Sequence, residues 1–163
     1  MKAIRLLAVL LLLVGCGEDG GKAAPHVGNA PPPFKLVTLD GGAVDYPMAT
    51  AGKVVVVRFW ATWCPFCKDE MKMIQTVWSQ SRDKGFEVLA VNAGQDKGDI
   101  TAFVAKLGVT YPVLLDPGSK ITRQYGVTGL PMTLFIGRDG KVAGRILGET
   151  DEATFRHKLE ELL

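Results

Sequence analysis

Four consecutive valines, Val54, Val55, Val56 and Val57, lie in a run over residues 53–60 that ends on Phe59 and Trp60. A continuous β-branched run of this length marks a strand buried on both faces, and such strands occur inside sheets with a packed layer on each side. Residues 86–93 repeat the pattern as a second buried strand. Between them, Cys67, Met71, Ile74 and Trp78 recur at spacings of four, three and four, the stripe of a helix beginning after Trp63. Pro65 suits the first turn of that helix and Gly85 its end. Strand, helix and strand in this order commit the chain to an α/β fold.

The flanking segments complete the sheet. Residues 34–39 alternate apolar and polar side chains, Asp40, Gly41 and Gly42 supply a turn, and residues 43–46 resume, which predicts a hairpin. Ile100, Phe103, Val104 and Leu107 line a short helix closed by Gly108. A brief strand follows at 113–115, then a helical turn or two at 119–125. Strands at 132–136 and 141–147 flank an Asp139-Gly140 turn, and Phe155, Leu159 and Leu162 stripe a final helix with Asp151 and Glu152 at its positive end. A chain of 163 residues, 47% hydrophobic, holds one core of this size. The expectation is one domain over 34–163, with a mixed central sheet and helices on both faces.

The first fifteen residues read as a processing signal. Lys2 and Arg5 precede nine apolar residues at 6–14, too few for a bilayer that needs about 20. The run closes on Leu13-Val14-Gly15-Cys16, which resembles the lipobox of bacterial lipoproteins and implies lipidation of Cys16 and a membrane anchor facing the periplasm or cell exterior. Residues 16–33, rich in Gly, Ala and Pro, read as a flexible tether, with His26 solvated in it. Two of the nineteen basic residues lie in the leader, which leaves seventeen cations against seventeen acids. That balance offers no basic field for nucleic acid.

Cys64-Pro65-Phe66-Cys67 falls where the valine-rich strand gives way to the helix. Backbone N–H groups and the helix dipole favour a thiolate at Cys64, while Cys67 sits further in, so Cys64 is the expected nucleophile and Cys67 the resolving thiol. A zinc site would need two more ligands, and only His26 and His157 remain, far off in the chain. A permanent structural disulfide is the other bland reading, but so short a loop restrains little chain entropy. No metal, flavin or nucleotide is expected.

Residues 59–68, FWATWCPFCK, are similar to the active site of the thioredoxin superfamily. The opening Pro-Pro-Phe-Lys-Leu, Val-Asn-Ala-Gly at 91–94, Tyr-Pro-Val-Leu-Leu-Asp at 111–116 and Gly-Val-Thr-Gly-Leu-Pro at 126–131 narrow the resemblance to the TlpA/ResA-like branch. It implies a thioredoxin-like fold with a helix-strand insertion at 98–116 and a thiol-disulfide oxidoreductase acting on protein thiols or disulfides of the cytochrome c maturation type. A membrane thiol-transfer reductase would recharge it. The resemblance makes Pro131 a cis-proline facing the disulfide, with the Leu130 backbone free for substrate. Trp63, Pro65, Phe66, Leu130 and Pro131 become the expected substrate contacts, with Trp63 exposed and Trp60 partly buried. Pro112 is read as an ordinary proline ahead of a strand.

The chain departs from that branch at Arg58 and Gln95, where an acid might take the Cys67 proton. Both are read as redox-tuning positions. Either the Arg58 guanidinium reaches the Cys pair and lowers a thiol pKa, or it snorkels to solvent from the strand end. Two rivals stay open: an oxidase running the same chemistry backwards, and a copper- or haem-delivery module using both thiolates.

Overall fold

The computed structural model describes residues 24–163. The leader and Cys16 lie outside the described residues. Seven strands form one sheet in the order β2-β1-β5-β4-β3-β6-β7. The hairpin is β1 (Phe34–Thr38) and β2 (Ala43–Tyr46), and the central strands are β3 (Val54–Trp60) and β4 (Phe86–Asn92). After them come β5 (Val113–Leu115), β6 (Met132–Ile136) and β7 (Val142–Leu147). β3, β4 and β5 run parallel, while β6, β7 and the hairpin are antiparallel to their neighbours. This is the mixed sheet of a thioredoxin-like fold.

Alternation along β3 sorts the core. Val54, Val56 and Trp60 face a cluster covered by α1 (Cys67–Ser81), α2 (Lys97–Leu107) and α4 (Glu152–Glu160). Val55, Val57 and Phe59 face the opposite cluster with Ile121 of α3 (Lys120–Gln124) and with Phe34, Tyr46 and Tyr125. Every residue of β3 is buried, as a strand sandwiched between layers must be. α1 passes through a 3-10 turn to Gly85, whose φ of +84° is the left-handed value that a helix-ending glycine adopts without strain.

Three expectations change. The tether does not run to Pro33. Pro25, Pro31 and Pro32 are buried, Gly28 N–H donates to Val142 O and Val142 N–H to Asn29 O, and the Tyr125 hydroxyl donates to Pro32 O at 2.6 Å. Prolines surrender little entropy when ordered, and these hydrogen bonds fix residues 25–33 against the domain. Trp60 is wholly buried rather than partly so, stacked on Phe103 of α2 with centroids 5.5 Å apart. The first helix starts at Cys67, so Pro65 lies ahead of it rather than in its first turn.

The chain has three tyrosines, Tyr46, Tyr111 and Tyr125, and all are buried. Burial pushes the Tyr46 phenol up to about 12 and raises those of Tyr111 and Tyr125 as well. Each ionises later in the folded chain than in the unfolded one. Stability is therefore unaffected by them below the ordinary phenol value and is lost as pH rises through the folded values. In an alkaline titration, tyrosinate absorbance should stay flat through about pH 10 and then rise together with loss of far-UV circular dichroism. A tyrosine titrating at its ordinary pKa with the fold intact would contradict this packing.

Candidate active site

β3 delivers the site. Its last residue, Trp60, accepts a hydrogen bond from Ala93 N–H, and the chain then leaves the sheet through buried Ala61. Two tight turns follow, with Cys64 N–H donating to Ala61 O at 3.2 Å and Cys67 N–H donating to Cys64 O at 3.2 Å. They bring the cysteines together as a disulfide with Cα atoms 5.4 Å apart. Trp63 is 69% exposed and Phe66 49%, while Cys64 and Cys67 are 2% and 0% exposed. A buried sulfur pair rimmed by exposed aromatics suits a site that another protein must cover.

β6 brings the second wall. Met132 pairs with Phe59 near the end of β3, so residues 130–131 stand at the same end of the sheet as the cysteines. The Leu130–Pro131 peptide is cis, as the resemblance implied. Pro131 is buried, and its carbonyl accepts from Gly148 N–H at 2.8 Å, which holds the loop against the end of β7. The Tyr46–Pro47 peptide is also cis, a feature for which the sequence reading had no cue.

Gln95 fixes the approach to Cys64. Its Oε1 accepts from Thr62 N–H at 2.7 Å and from Asn92 Nδ2 at 3.0 Å, and its Nε2 donates to Thr62 Oγ1 at 2.6 Å. Gln95 N–H donates to Asn92 Oδ1 at 3.0 Å, and Asn92 is fully buried at the end of β4. This side chain thus staples the turn carrying Trp63 to the second buried strand.

Arg58 does not snorkel to solvent. It is completely buried on the α1 side of the sheet, where its Nη2 makes an ion pair with Glu70 and its Nη1 donates to Thr133 Oγ1 at 2.8 Å. The other Glu70 oxygen accepts from Thr150 N–H, in the loop between β7 and α4. Arg58 Nε and Trp60 Nε1 are buried without a partner among the described residues. Glu70, three residues after Cys67 on α1, is thus a buried acid on the helix of the resolving cysteine that sequence reasoning missed. The cue was present: three residues after Cys67, Glu70 shares the inward helix face with Met71 and Ile74, where a charge needs a partner.

The arrangement supports one chemistry. Two cysteines joined as a disulfide after a central strand, at the same end of the sheet as Pro131, have the arrangement of a thioredoxin-like thiol-disulfide oxidoreductase. The chain belongs to the Redoxin family, whose profile matches residues 26–163. The thiol-disulfide oxidoreductase ResA of Bacillus cereus is 31% identical over 172 aligned positions that cover 99% of each chain. ResA of Bacillus subtilis is 32% identical, covering 92% of this chain and 87% of that one. A thiol:disulfide interchange protein of the thioredoxin family from Chlorobium tepidum superposes with a TM-score of 0.76 at 25% identity, covering 86% of this chain and 99% of that one.

Proposed function

We propose that this oxidoreductase works as a reductase of protein disulfides, held outside the cytoplasm by lipid on Cys16. The observation that supports disulfide exchange is the Cys64–Cys67 pair beside exposed Trp63 and Phe66, at the same end of the sheet as the Leu130–Pro131 loop, and the reductive direction rests on the resemblance to the TlpA/ResA-like branch. In the reduced enzyme, Cys64 thiolate attacks one sulfur of a client disulfide. A mixed disulfide forms and the other client sulfur leaves as a thiol. Cys67 then attacks Cys64 Sγ, closing the enzyme disulfide and releasing the second client thiol. The client gains two electrons from the dithiol and two protons, one from Cys67 and one from solvent in place of the proton Cys64 gave up on ionising, and a membrane thiol-transfer reductase restores the dithiol. Trp63, Pro65, Phe66, Leu130 and Pro131 contact the client, and apocytochromes of the cytochrome c maturation type fit the relatives' chemistry. Gln95 tunes the pair by holding the Thr62 turn.

The anchor rests on the leader pattern ending at Cys16 and on the short span from Cys16 to the packed residues that begin at Pro25. Among the described residues no helix is long and apolar enough to cross a membrane. Equilibrating residues 24–163 with glutathione should give a reduction potential below about −200 mV, and a value near −120 mV would instead make the protein an oxidase. Labelling of the full chain with a fatty acid should be lost in Cys16→Ser, and unlabelled parent chain would refute the anchor.

A further inference from the structure

We infer that Arg58 is a positioning residue that cancels the charge of Glu70 behind the cysteine pair and so keeps the Cys64 thiolate available at neutral pH. The inference rests on disulfide exchange at Cys64 and Cys67 and is independent of the direction in which electrons flow.

Glu70 lies one helical turn beyond Cys67 on α1, a spacing that puts the two Cβ atoms roughly 5–6 Å apart. Both residues are at most 5% exposed, so little water screens a carboxylate from the sulfurs. Left alone, such a carboxylate would disfavour a second negative charge and push the cysteine thiols up. Arg58 prevents this. It reaches Glu70 from β3, with no exposed atom of its own, and Thr133 on β6 holds its other arm. Each Glu70 oxygen already accepts a hydrogen bond, one from Arg58 and one from Thr150 N–H. The carboxylate is therefore tied down as half of a neutral pair and is not presented to Cys67 as a free base. When Cys67 attacks Cys64 Sγ, the proton it loses is balanced by the proton the departing client thiolate gains, with no net transfer to Glu70.

Other charged groups on the elements packed against this turn include Lys68, Asp69 and Lys72 on α1, Asp96 after β4, Lys97 and Asp99 on α2, Glu149 and Asp151 beside Thr150, and Glu152, Arg156, His157 and Lys158 on α4, none of them buried. Tyr111, buried near Arg58 with its hydroxyl toward Met71 O at 3.4 Å, stays a neutral phenol at these pH values. All of these groups are shared by every variant below, so differences between variants report the pair.

The test is the pH midpoint of iodoacetamide alkylation of Cys64 in the reduced protein. Arg58→Met should raise the midpoint by about one unit, Glu70→Gln should lower it by a comparable amount, and the double variant should return near the parent. Arg58→Lys, which keeps the charge, should stay close to the parent. Midpoints that move in the same direction in the two single variants, or in neither, would overturn the inference, as would an Arg58→Met enzyme whose Cys67 attack becomes faster. If Arg58→Met does not fold, Glu70→Gln decides alone, because a midpoint that fails to fall refutes the charge compensation.

Discussion

Cys64→Ser should abolish disulfide exchange, bringing turnover of an insulin-type substrate down to the uncatalysed background, whereas Cys67→Ser should retain a single stoichiometric attack and then stall. The asymmetry follows from the turn geometry. Cys64 precedes the helix, and Cys67 is its first residue, with no exposed surface. An incoming disulfide therefore meets Cys64, and a serine there lacks a nucleophile that ionises near neutral pH. With Cys67 replaced, the mixed disulfide has no internal thiol to resolve it and accumulates as a covalent complex, seen on a non-reducing gel and identified by mass spectrometry. The trapped proteins are the clients. Equal loss in both variants, with no complex under Cys67→Ser, would mean the roles are not divided this way.

Elements whose signal lies in local periodicity were legible from the sequence. The valine run of β3, the four-three-four stripe of α1 and the Asp139-Gly140 hairpin each carry their own pattern, and each is present. What was misread depended on partners remote in sequence. Residues 24–33 look like a linker by composition, and contacts that include Val142 and Tyr125, more than ninety positions away, order them. Trp60 was expected at a partly open strand end, but α2 closes over it through Phe103. For Arg58 an exit to solvent stood beside a reach toward the cysteines, although alternation from Val54 and Val56 already put it on the face that three helices cover. The cysteines were legible because their chemistry lies in their spacing. Glu70 was missed because its meaning comes from Arg58, twelve residues earlier on another element.

Breaking that buried pair on one side should also cost the domain much of its stability. Replacing Arg58 alone by methionine leaves a carboxylate in the core without its cation, a loss of about 3–5 kcal/mol. For a domain of this size such a loss lowers Tm by roughly 10–20 °C. Removing both charges avoids the uncompensated ion, and buried pairs replaced by apolar groups of similar volume are often neutral or better. Here the replacement for Glu70 matters as much as the loss of its charge, because one carboxylate oxygen also satisfies Thr150 N–H. Arg58→Met with Glu70→Gln keeps an acceptor for that amide and should recover most of the lost stability. Arg58→Met with Glu70→Met leaves the amide unpaired and should retain a deficit of about 1–3 kcal/mol. Urea unfolding separates these cases through the transition midpoint, provided the slope is unchanged. The expected order is parent, then Met/Gln close behind, then Met/Met, then the single Arg58→Met. A single variant as stable as the parent would mean that the Glu70 charge finds solvent or another partner, and the neutral pair behind the cysteines would have to be abandoned.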